Sequence, residues 1–126
     1  MEQEDLNCSL VGVCDLFDNH AELAIDASKN DLRPGGKPRK TAIRYRSYKE
    51  MLARGDVDAV IVATPDHWHS RITIDAAKAG KHVYCEKGLT RTFQEAIDVY
   101  DTIKETGVVL QLCLLYTSPS PRDLAR

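Results

Sequence analysis

The sequence predicts an α/β fold: a doubly wound, parallel β-sheet covered by helices. Short apolar runs alternate with helix-like patterns over residues 57–112, which is the order of βαβ units. Several of these runs are continuously apolar, as in strands that are buried on both faces. Polar residues follow two of the runs directly, at 64–69 and 86–87. Because parallel sheets bind ligands where strands end in loops, these two segments form the candidate site.

Composition narrows the class of protein. A chain of 126 residues fits one domain, since domains commonly hold roughly 100 to 150 residues. It carries 17 Lys plus Arg against 19 Asp plus Glu, a balance that predicts no nucleic-acid or membrane-surface partner. No apolar run approaches the ~20 residues of a membrane span, and the acidic start is unlike a signal peptide. We expect a cytoplasmic protein, with an export signal upstream of Met1 left open.

The first strand is predicted over residues 9–14, and Asp15 follows it directly. Asn19 and Glu22 have the spacing of a capping box for a helix that ends near Lys29. The predicted inward residues of this helix are Leu23, Ala24 and Ala27.

An exposed loop is predicted next, because residues 30–41 hold two Pro and two Gly. Its four cations favour a solvated basic loop, with a phosphate contact as the alternative. A short strand over 42–45 then leads to a small helix that Ser47 and Glu50 cap and Gly55 ends.

The clearest strand of the sequence covers residues 57–63, and Pro65 ends it. The helix that follows ends at Gly80, and a further strand is predicted over 82–85. The helix positions that recur at steps of three and four, and are therefore expected inside, are His69, Ile72, Ala76 and Ala79.

Thr92 and Glu95 predict another capping box, for a helix that Gly107 ends. The expected buried stripe of this helix is Phe93, Ala96, Ile97, Tyr100 and Ile103. A last strand covers residues 108–112. Residues 113–126 break the pattern and resemble the translation of a sequencing-library adapter, so we interpret 1–112 as the domain and 113–126 as a non-native, disordered tail.

Three groups of polar residues could carry chemistry. Asp15 at a strand end can accept hydrogen bonds from an adenosine ribose, or can form a turn. The turn over residues 64–69 offers hydroxyl, carboxylate and aromatic groups, or is a capped helix start with a hydrogen-bonded His69. Glu86 and Lys87 could bind a ribose and transfer a proton, or form a surface ion pair. The Gly-rich phosphate loop that lies about 20 residues before such an Asp is absent.

Metal binding is not predicted. The cysteines have no CxxC pair, and we expect reduced thiols at Cys8, Cys14, Cys85 and Cys113. A zinc site would need ligands from separate segments without helical spacing, namely His67, His69, His82 and Cys85.

Two motifs resemble those of the glucose-fructose oxidoreductase, inositol dehydrogenase and rhizopine-catabolism (Gfo/Idh/MocA) family of nicotinamide-dependent oxidoreductases. They are the strand and Thr-Pro turn at 57–69 and the run Ala-Gly-Lys-His-Val-Tyr-Cys-Glu-Lys at 79–87. The resemblance covers about residues 9–112. It implies a Rossmann-like fold that lacks its first strand, Gly-rich loop, first helix and C-terminal substrate domain.

The resemblance also implies the site. Asp15 would hold the adenosine ribose of NAD, with NADP less expected, and Glu86 would hold the nicotinamide ribose. Lys87 would be the catalytic proton carrier and also contact the cofactor. The residues expected to line the turn against the cofactor are Thr64, Pro65, Asp66 and His69. Gly88 replaces the proline of the family's Glu-Lys-Pro motif, which leaves Lys87 less rigidly aimed.

The implied substrates are small sugars, inositols or related polyols, and the parent protein is expected to be a homo-oligomer. Two other functions are compatible with the residues. One is glycosidic bond cleavage, in which a retained nicotinamide is reduced and re-oxidised. The other is cofactor sensing by a Rossmann module without turnover.

Overall fold

The computed structural model describes residues 8–29 and 41–114. These belong to two compact units, Met1–Asp58 and Ala59–Arg126. The basic loop predicted at 30–41 lies outside the described residues, apart from Thr41. The tail predicted from residue 113 also lies outside them, apart from its first two residues.

The first unit contains a two-stranded parallel sheet. Its elements are β1 (Gly12–Cys14), α1 (Asp18–Ser28), β2 (Ile43–Tyr45) and α2 (Tyr48–Leu52). Gly12 pairs with Ile43 and Cys14 with Tyr45. Gly12 packs closely against two side chains, because a Cβ there would lie 3.1 Å from both the Met51 Sδ and the Tyr45 ring, which would have to shift slightly.

Helix α1 begins one residue before the predicted capping box. Asp15 Oδ1 accepts a hydrogen bond from the Phe17 amide at 2.8 Å, which turns the chain into the helix. Asn19 therefore lies inside the first turn, and the prediction that it caps the helix is wrong. The inward face was also wrong: Leu23 is 69% exposed, whereas Ala21 and Ser28 are buried. Apolar spacing alone did not show which side of α1 meets the sheet.

The second unit is a three-stranded parallel sheet in the order β3–β4–β5. Its strands are β3 (Ala59–Val62), β4 (His82–Cys85) and β5 (Leu110–Leu112), and its helices are α3 (His69–Lys78) and α4 (Phe93–Thr106). A short 3₁₀ turn, Asp66–Trp68, precedes α3. The ladder continues one residue beyond the predicted domain end, because the Cys113 amide donates to the Cys85 carbonyl at 2.8 Å.

Both helices of the second unit lie on one face of its sheet. The parallel strands follow one another in chain order, and right-handed connections between such strands place their helices on the same face. In agreement with this, α3 packs against α4. The strands therefore alternate: Val60, Val62 and Val83 are buried, whereas Ile61 is 56% and Tyr84 40% exposed. The expectation of strands buried on both faces is wrong for this sheet, because consecutive crossovers of one hand supply helices to one side.

Helix α4 is capped as predicted, but it buries a different face from the predicted one. Thr92 Oγ1 accepts from the Glu95 amide at 3.2 Å, and Gly107 ends the helix in the left-handed region with φ of 69°. Its buried residues are Val99 and Thr102. The predicted stripe is mostly outside, since Phe93, Ile97 and Tyr100 are exposed and Ala96 and Ile103 are half-buried.

Candidate functional site

Two loops leave the same edge of the second sheet. β3 and β4 are parallel neighbours, and Val62 pairs with Cys85 at their carboxyl ends. The Glu86 amide still donates to the Val62 carbonyl, at 2.9 Å. The turn that begins at Thr64 and the loop that holds Glu86 and Lys87 therefore start side by side. This is the edge where ligands of parallel sheets bind.

The turn after β3 presents open polar groups. The Pro65 carbonyl accepts from the Trp68 amide at 3.0 Å and closes the 3₁₀ turn. Thr64, Pro65 and Asp66 are exposed residues, and two of them carry a polar side chain, the Thr64 hydroxyl and the Asp66 carboxyl group. Trp68 is partly exposed and its ring lies 5.9 Å from that of His67.

His69 lies inside the protein rather than on the open side of the turn. It begins α3 and is 1% exposed. Its Nε2 lies 2.7 Å from the Thr64 carbonyl oxygen, and its Nδ1 lies 3.0 Å from that of Gly88. Both ring nitrogens are therefore engaged with backbone, one in each loop.

The loop after β4 changes quickly from buried to exposed. Cys85 is fully buried, Glu86 is half-buried and Lys87 is exposed, followed by a cis peptide bond to Gly88. Burial raises the pKa of the Cys85 thiol; the Thr73 hydroxyl lowers this pKa and Glu86 raises it further. The thiol donates to the Glu86 carbonyl at 3.3 Å. Lys87 is thus the charged side chain of this loop that is exposed to solvent.

The first unit holds a cavity of about 420 Å³ beside Asp15. Asp15 follows β1, and its side chain is 34% exposed, with Oδ2 lying 3.5 Å from His20 Nδ1. Asp15 also forms the turn into α1. Its two predicted roles, forming a turn and accepting hydrogen bonds from a ribose, are therefore compatible. The cavity is lined by Asp15, Leu16, Asp18, Arg44 and Arg46.

Arg44 is already paired within this cavity. Its Nη2 lies 2.6 Å from Asp18 Oδ1 and 3.4 Å from the Asp15 carbonyl oxygen. The sequence patterns did not indicate four residues of this cavity, namely Leu16, Asp18, Arg44 and Arg46. The available signal was their position, because Leu16 and Asp18 follow β1 closely, and Arg44 and Arg46 lie within and just after the neighbouring β2.

The predicted site residues fall into both units. Asp15 belongs to the first unit. The second unit contains Thr64, Pro65, Asp66, His69, Glu86 and Lys87. Within 8–29 and 41–114, no group of three or more His, Cys, Asp or Glu side chains is placed to hold a metal ion. No helix in these ranges is long and apolar enough to cross a membrane.

Parallel strands whose carboxyl-end loops carry exposed hydroxyl, carboxylate and ammonium groups define an α/β domain of the nucleotide-binding type. The chain belongs to the oxidoreductase family with an NAD-binding Rossmann fold, the Gfo/Idh/MocA family, whose sequence model matches residues 9–113. The predicted fold class and the resemblance are both confirmed.

Two curated relatives illustrate the range of this family. The chain is 39% identical over 79 residues to levoglucosan dehydrogenase of Pseudarthrobacter phenanthrenivorans, a match covering 63% of this chain and 20% of that protein. It is 35% identical over 97 residues to glycosyl hydrolase family 109 protein 1 of Shewanella sp. strain MR-4, covering 77% and 21%. The chain thus spans about a fifth of the length of these relatives.

Solved structures show the same fold. Myo-inositol 2-dehydrogenase from Lactobacillus plantarum is 28% identical with a TM-score of 0.69, over 85% of this chain and 29% of that one. The WlbA dehydrogenase from Bordetella pertussis, solved with NADH and UDP-GlcNAcA, is 29% identical with a TM-score of 0.67, over 82% and 27%.

Proposed function

We propose that this chain is the cofactor-binding part of a longer NAD(H)-dependent oxidoreductase that acts on a sugar, an inositol or a related polyol. One observation carries the proposal. In a chain of this family, the turn at Thr64 and the loop at Glu86 and Lys87 leave neighbouring parallel strands at one edge. The inositol and levoglucosan dehydrogenases among the similar proteins support the substrate class.

The residues present fit a dinucleotide. The cavity beside Asp15 joins a partly exposed carboxylate, which can accept ribose hydroxyls, to the 90% exposed side chain of Leu16, which offers an apolar surface. In the second unit, Thr64 and Asp66 expose hydroxyl and carboxylate oxygens to the carboxyl edge. Glu86 stands at that edge as a further acceptor for a ribose hydroxyl.

Bound nicotinamide supplies the hydride acceptor or donor. The chain's own part in substrate oxidation is proton transfer, with the hydroxyl proton of the substrate passing to Lys87 Nζ in its neutral form as hydride leaves the same carbon. In the reverse direction the Lys87 ammonium returns that proton to the alkoxide. A positioned general acid or base of this kind contributes about 10²- to 10⁴-fold in rate.

NAD, rather than NADP, is the cofactor that the charges favour. The Asp15 carboxylate would repel a 2′-phosphate, whereas it can accept hydrogen bonds from an unmodified ribose. Arg44, which could bind a phosphate, is held by Asp18 at 2.6 Å. Among the described residues that line this cavity, Arg46 is the other cation.

Fluorescence titration of the complete protein with NADH tests the proposal. We expect saturable binding that Asp15→Ala weakens by about 10- to 100-fold, because hydrogen bonds to a charged group contribute about 1.5 to 3 kcal/mol. Asp26→Ala is the matched control, since Asp26 is an exposed carboxylate of the same unit that pairs with Lys29. Equal affinity in wild type and Asp15→Ala would remove Asp15 from the site.

Glycosidic bond cleavage is the second candidate, and similarity to a glycosyl hydrolase family 109 protein favours it. In that reaction the nicotinamide would be reduced and re-oxidised within one turnover. Sugar release without net formation of NADH would identify it. Stoichiometric NADH formation from a free polyol would identify the dehydrogenase.

A further inference from the structure

His69 joins two loops that are distant in sequence. Its partners are the carbonyl of Thr64, five residues before it, and the carbonyl of Gly88, 19 residues after it. The first belongs to the turn after β3, and the second follows Lys87 directly. A buried imidazole needs hydrogen-bond partners, and those of His69 lie in the two loops of the candidate site.

We propose that His69 is a positioning residue for Lys87, acting through the Gly88 carbonyl. The proposal rests on the proposed function, because it assigns a purpose to the direction in which Lys87 points. His69 is buried and contacts backbone, so it acts on the loop and not on a substrate.

The backbone around Lys87 is held on both sides. On its N-terminal side, the Glu86 amide is bonded to the Val62 carbonyl at 2.9 Å, which extends the sheet ladder. On its C-terminal side, the Gly88 carbonyl is bonded to His69 Nδ1 at 3.0 Å. Lys87 therefore stands between two anchors, and His69 supplies the second.

Gly88 itself restrains the loop little. A Cβ added at this position would meet no atom within 4 Å, so neighbouring side chains do not confine it. Glycine also has the widest choice of backbone conformation. The contact with His69 therefore restrains the backbone on this side of Lys87 in a way that Gly88 itself does not.

The chemistry of the ring suits this task. A carbonyl oxygen only accepts, so a ring nitrogen must carry a hydrogen to bond to it. A neutral imidazole has one N–H and donates to one of the two carbonyls, whereas an imidazolium donates to both. The proposed role requires the form in which Nδ1 carries a hydrogen and donates to the Gly88 carbonyl. The rigid ring also fixes the distance between the two loops. Leucine would fill a similar volume and donate to neither carbonyl.

Three variants separate positioning from simple packing. His69→Leu keeps volume and removes the ring nitrogens. His69→Asn keeps a donor at the position of Nδ1, which faces Gly88, and His69→Gln keeps one at the position of Nε2, which faces Thr64. His82→Ala is the matched control, because His82 also bonds to backbone, accepting from the Val109 amide at 3.0 Å, but lies at the opposite end of β4. The readouts are kcat and KM of the complete protein, and amide exchange at Glu86 in the 126-residue chain.

We expect His69→Leu to lower kcat by about 100-fold, the effect of a misplacement of about 1 Å at a catalytic group, while the KM for NADH changes little. His69→Asn should keep most of kcat, because its amide can still donate to the Gly88 carbonyl. His69→Gln should lose kcat as His69→Leu does, and it replaces the leucine variant if that variant does not fold. Exchange at Glu86 should accelerate in His69→Leu and remain unchanged in His82→Ala.

Different results would overturn the proposed function and the positioning role of His69. If the wild-type protein turns over a polyol and His69→Leu lowers kcat no more than His82→Ala, the positioning role is overturned. If the wild type shows no NAD-dependent turnover, the proposed function fails. Amide exchange at Glu86 then still tests whether His69 holds the two loops together. Equal exchange rates in His69→Leu and His82→Ala would overturn the positioning role.

Discussion

The Glu86 amide donates a hydrogen bond to the Val62 carbonyl at 2.9 Å, one step beyond the last paired residues of β3 and β4. This bond makes the position of the loop after β4 a direct continuation of the sheet. The positions of Glu86 and Lys87 therefore follow from the register of the strands. Their placement beside the turn at Thr64 is therefore a property of the parallel ladder.

Replacing Lys87 tests whether the protein turns over a substrate. We expect Lys87→Ala to lower kcat by about 10²- to 10⁴-fold, because a general acid or base is removed. The affinity for NADH should fall much less than kcat. Lys78→Ala is the control, since Lys78 is an exposed cation in the last turn of α3. An unchanged kcat would eliminate the proton-transfer role, and absent turnover in the wild type would favour the cofactor-sensing alternative.

Freeing Arg44 should shift the cofactor preference. Asp18→Asn removes the carboxylate that lies 2.6 Å from the guanidinium, so Arg44 becomes available to a 2′-phosphate. We expect affinity for NADPH to rise by about 10-fold relative to NADH, the equivalent of one charge-assisted hydrogen bond. The measurement is parallel fluorescence titration with the two cofactors.

The control for this prediction is the double variant. Adding Arg44→Gln to Asp18→Asn should remove the gain in NADPH affinity, because the guanidinium is its source. Persistence of the gain in the double variant would assign it to Arg46 or to the lost negative charge alone.

The capping box of α4 makes a prediction about stability. Thr92 Oγ1 accepts from the Glu95 amide at 3.2 Å, and Glu95 Oε2 accepts from the Arg91 amide at 2.7 Å. Thr92→Ala should lower the free energy of unfolding by about 1 kcal/mol. Urea denaturation measures it, with Thr92→Ser as the control that keeps the cap. Equal midpoints for the two variants would contradict the capping role.

Local features of the sequence predicted the second unit well. The end of β3 before Pro65, the cap at Thr92 and the glycine end of α4 depend on a few neighbouring residues, and each is present in the structure. The placement of Thr64 and Lys87 at one edge also followed from the order of the strands. Such features can be predicted because the sheet and helix geometry that they encode depends on neighbouring residues.

Features that depend on contacts between residues distant in sequence were harder to predict. The outward direction of Leu23 and Phe93 depends on which helix face meets the sheet, and apolar spacing does not specify that face. The link between His69 and Gly88 spans 19 residues and ends on a backbone carbonyl, which every residue possesses. No residue type marks such an acceptor, so the sequence could indicate a hydrogen-bonded His69 but not its partner.

The buried thiol of Cys85 makes a prediction about alkaline pH. Burial raises its pKa above the ordinary value of 9.0; the Thr73 hydroxyl offsets this in part and Glu86 adds to it. Above pH 9 an unfolded chain therefore loses the thiol proton while the folded chain keeps it. The folded state then binds more protons, so the free energy of unfolding falls as pH rises through that value.

The slope of the free energy of unfolding against pH, compared between variants, isolates the contribution of the Cys85 thiol. Urea unfolding at a series of values from about pH 8 to about pH 10 should show a steeper loss for the wild type than for Cys85→Ala, by at most about 1.4 kcal/mol per pH unit. Cys85→Ala also leaves a cavity, but a cavity lowers stability equally at every pH and leaves the slope unchanged. Cys8→Ala is the control, because Cys8 is exposed and its replacement should keep the wild-type slope. Identical slopes for wild type and Cys85→Ala would show that the thiol titrates alike in the folded and unfolded chain.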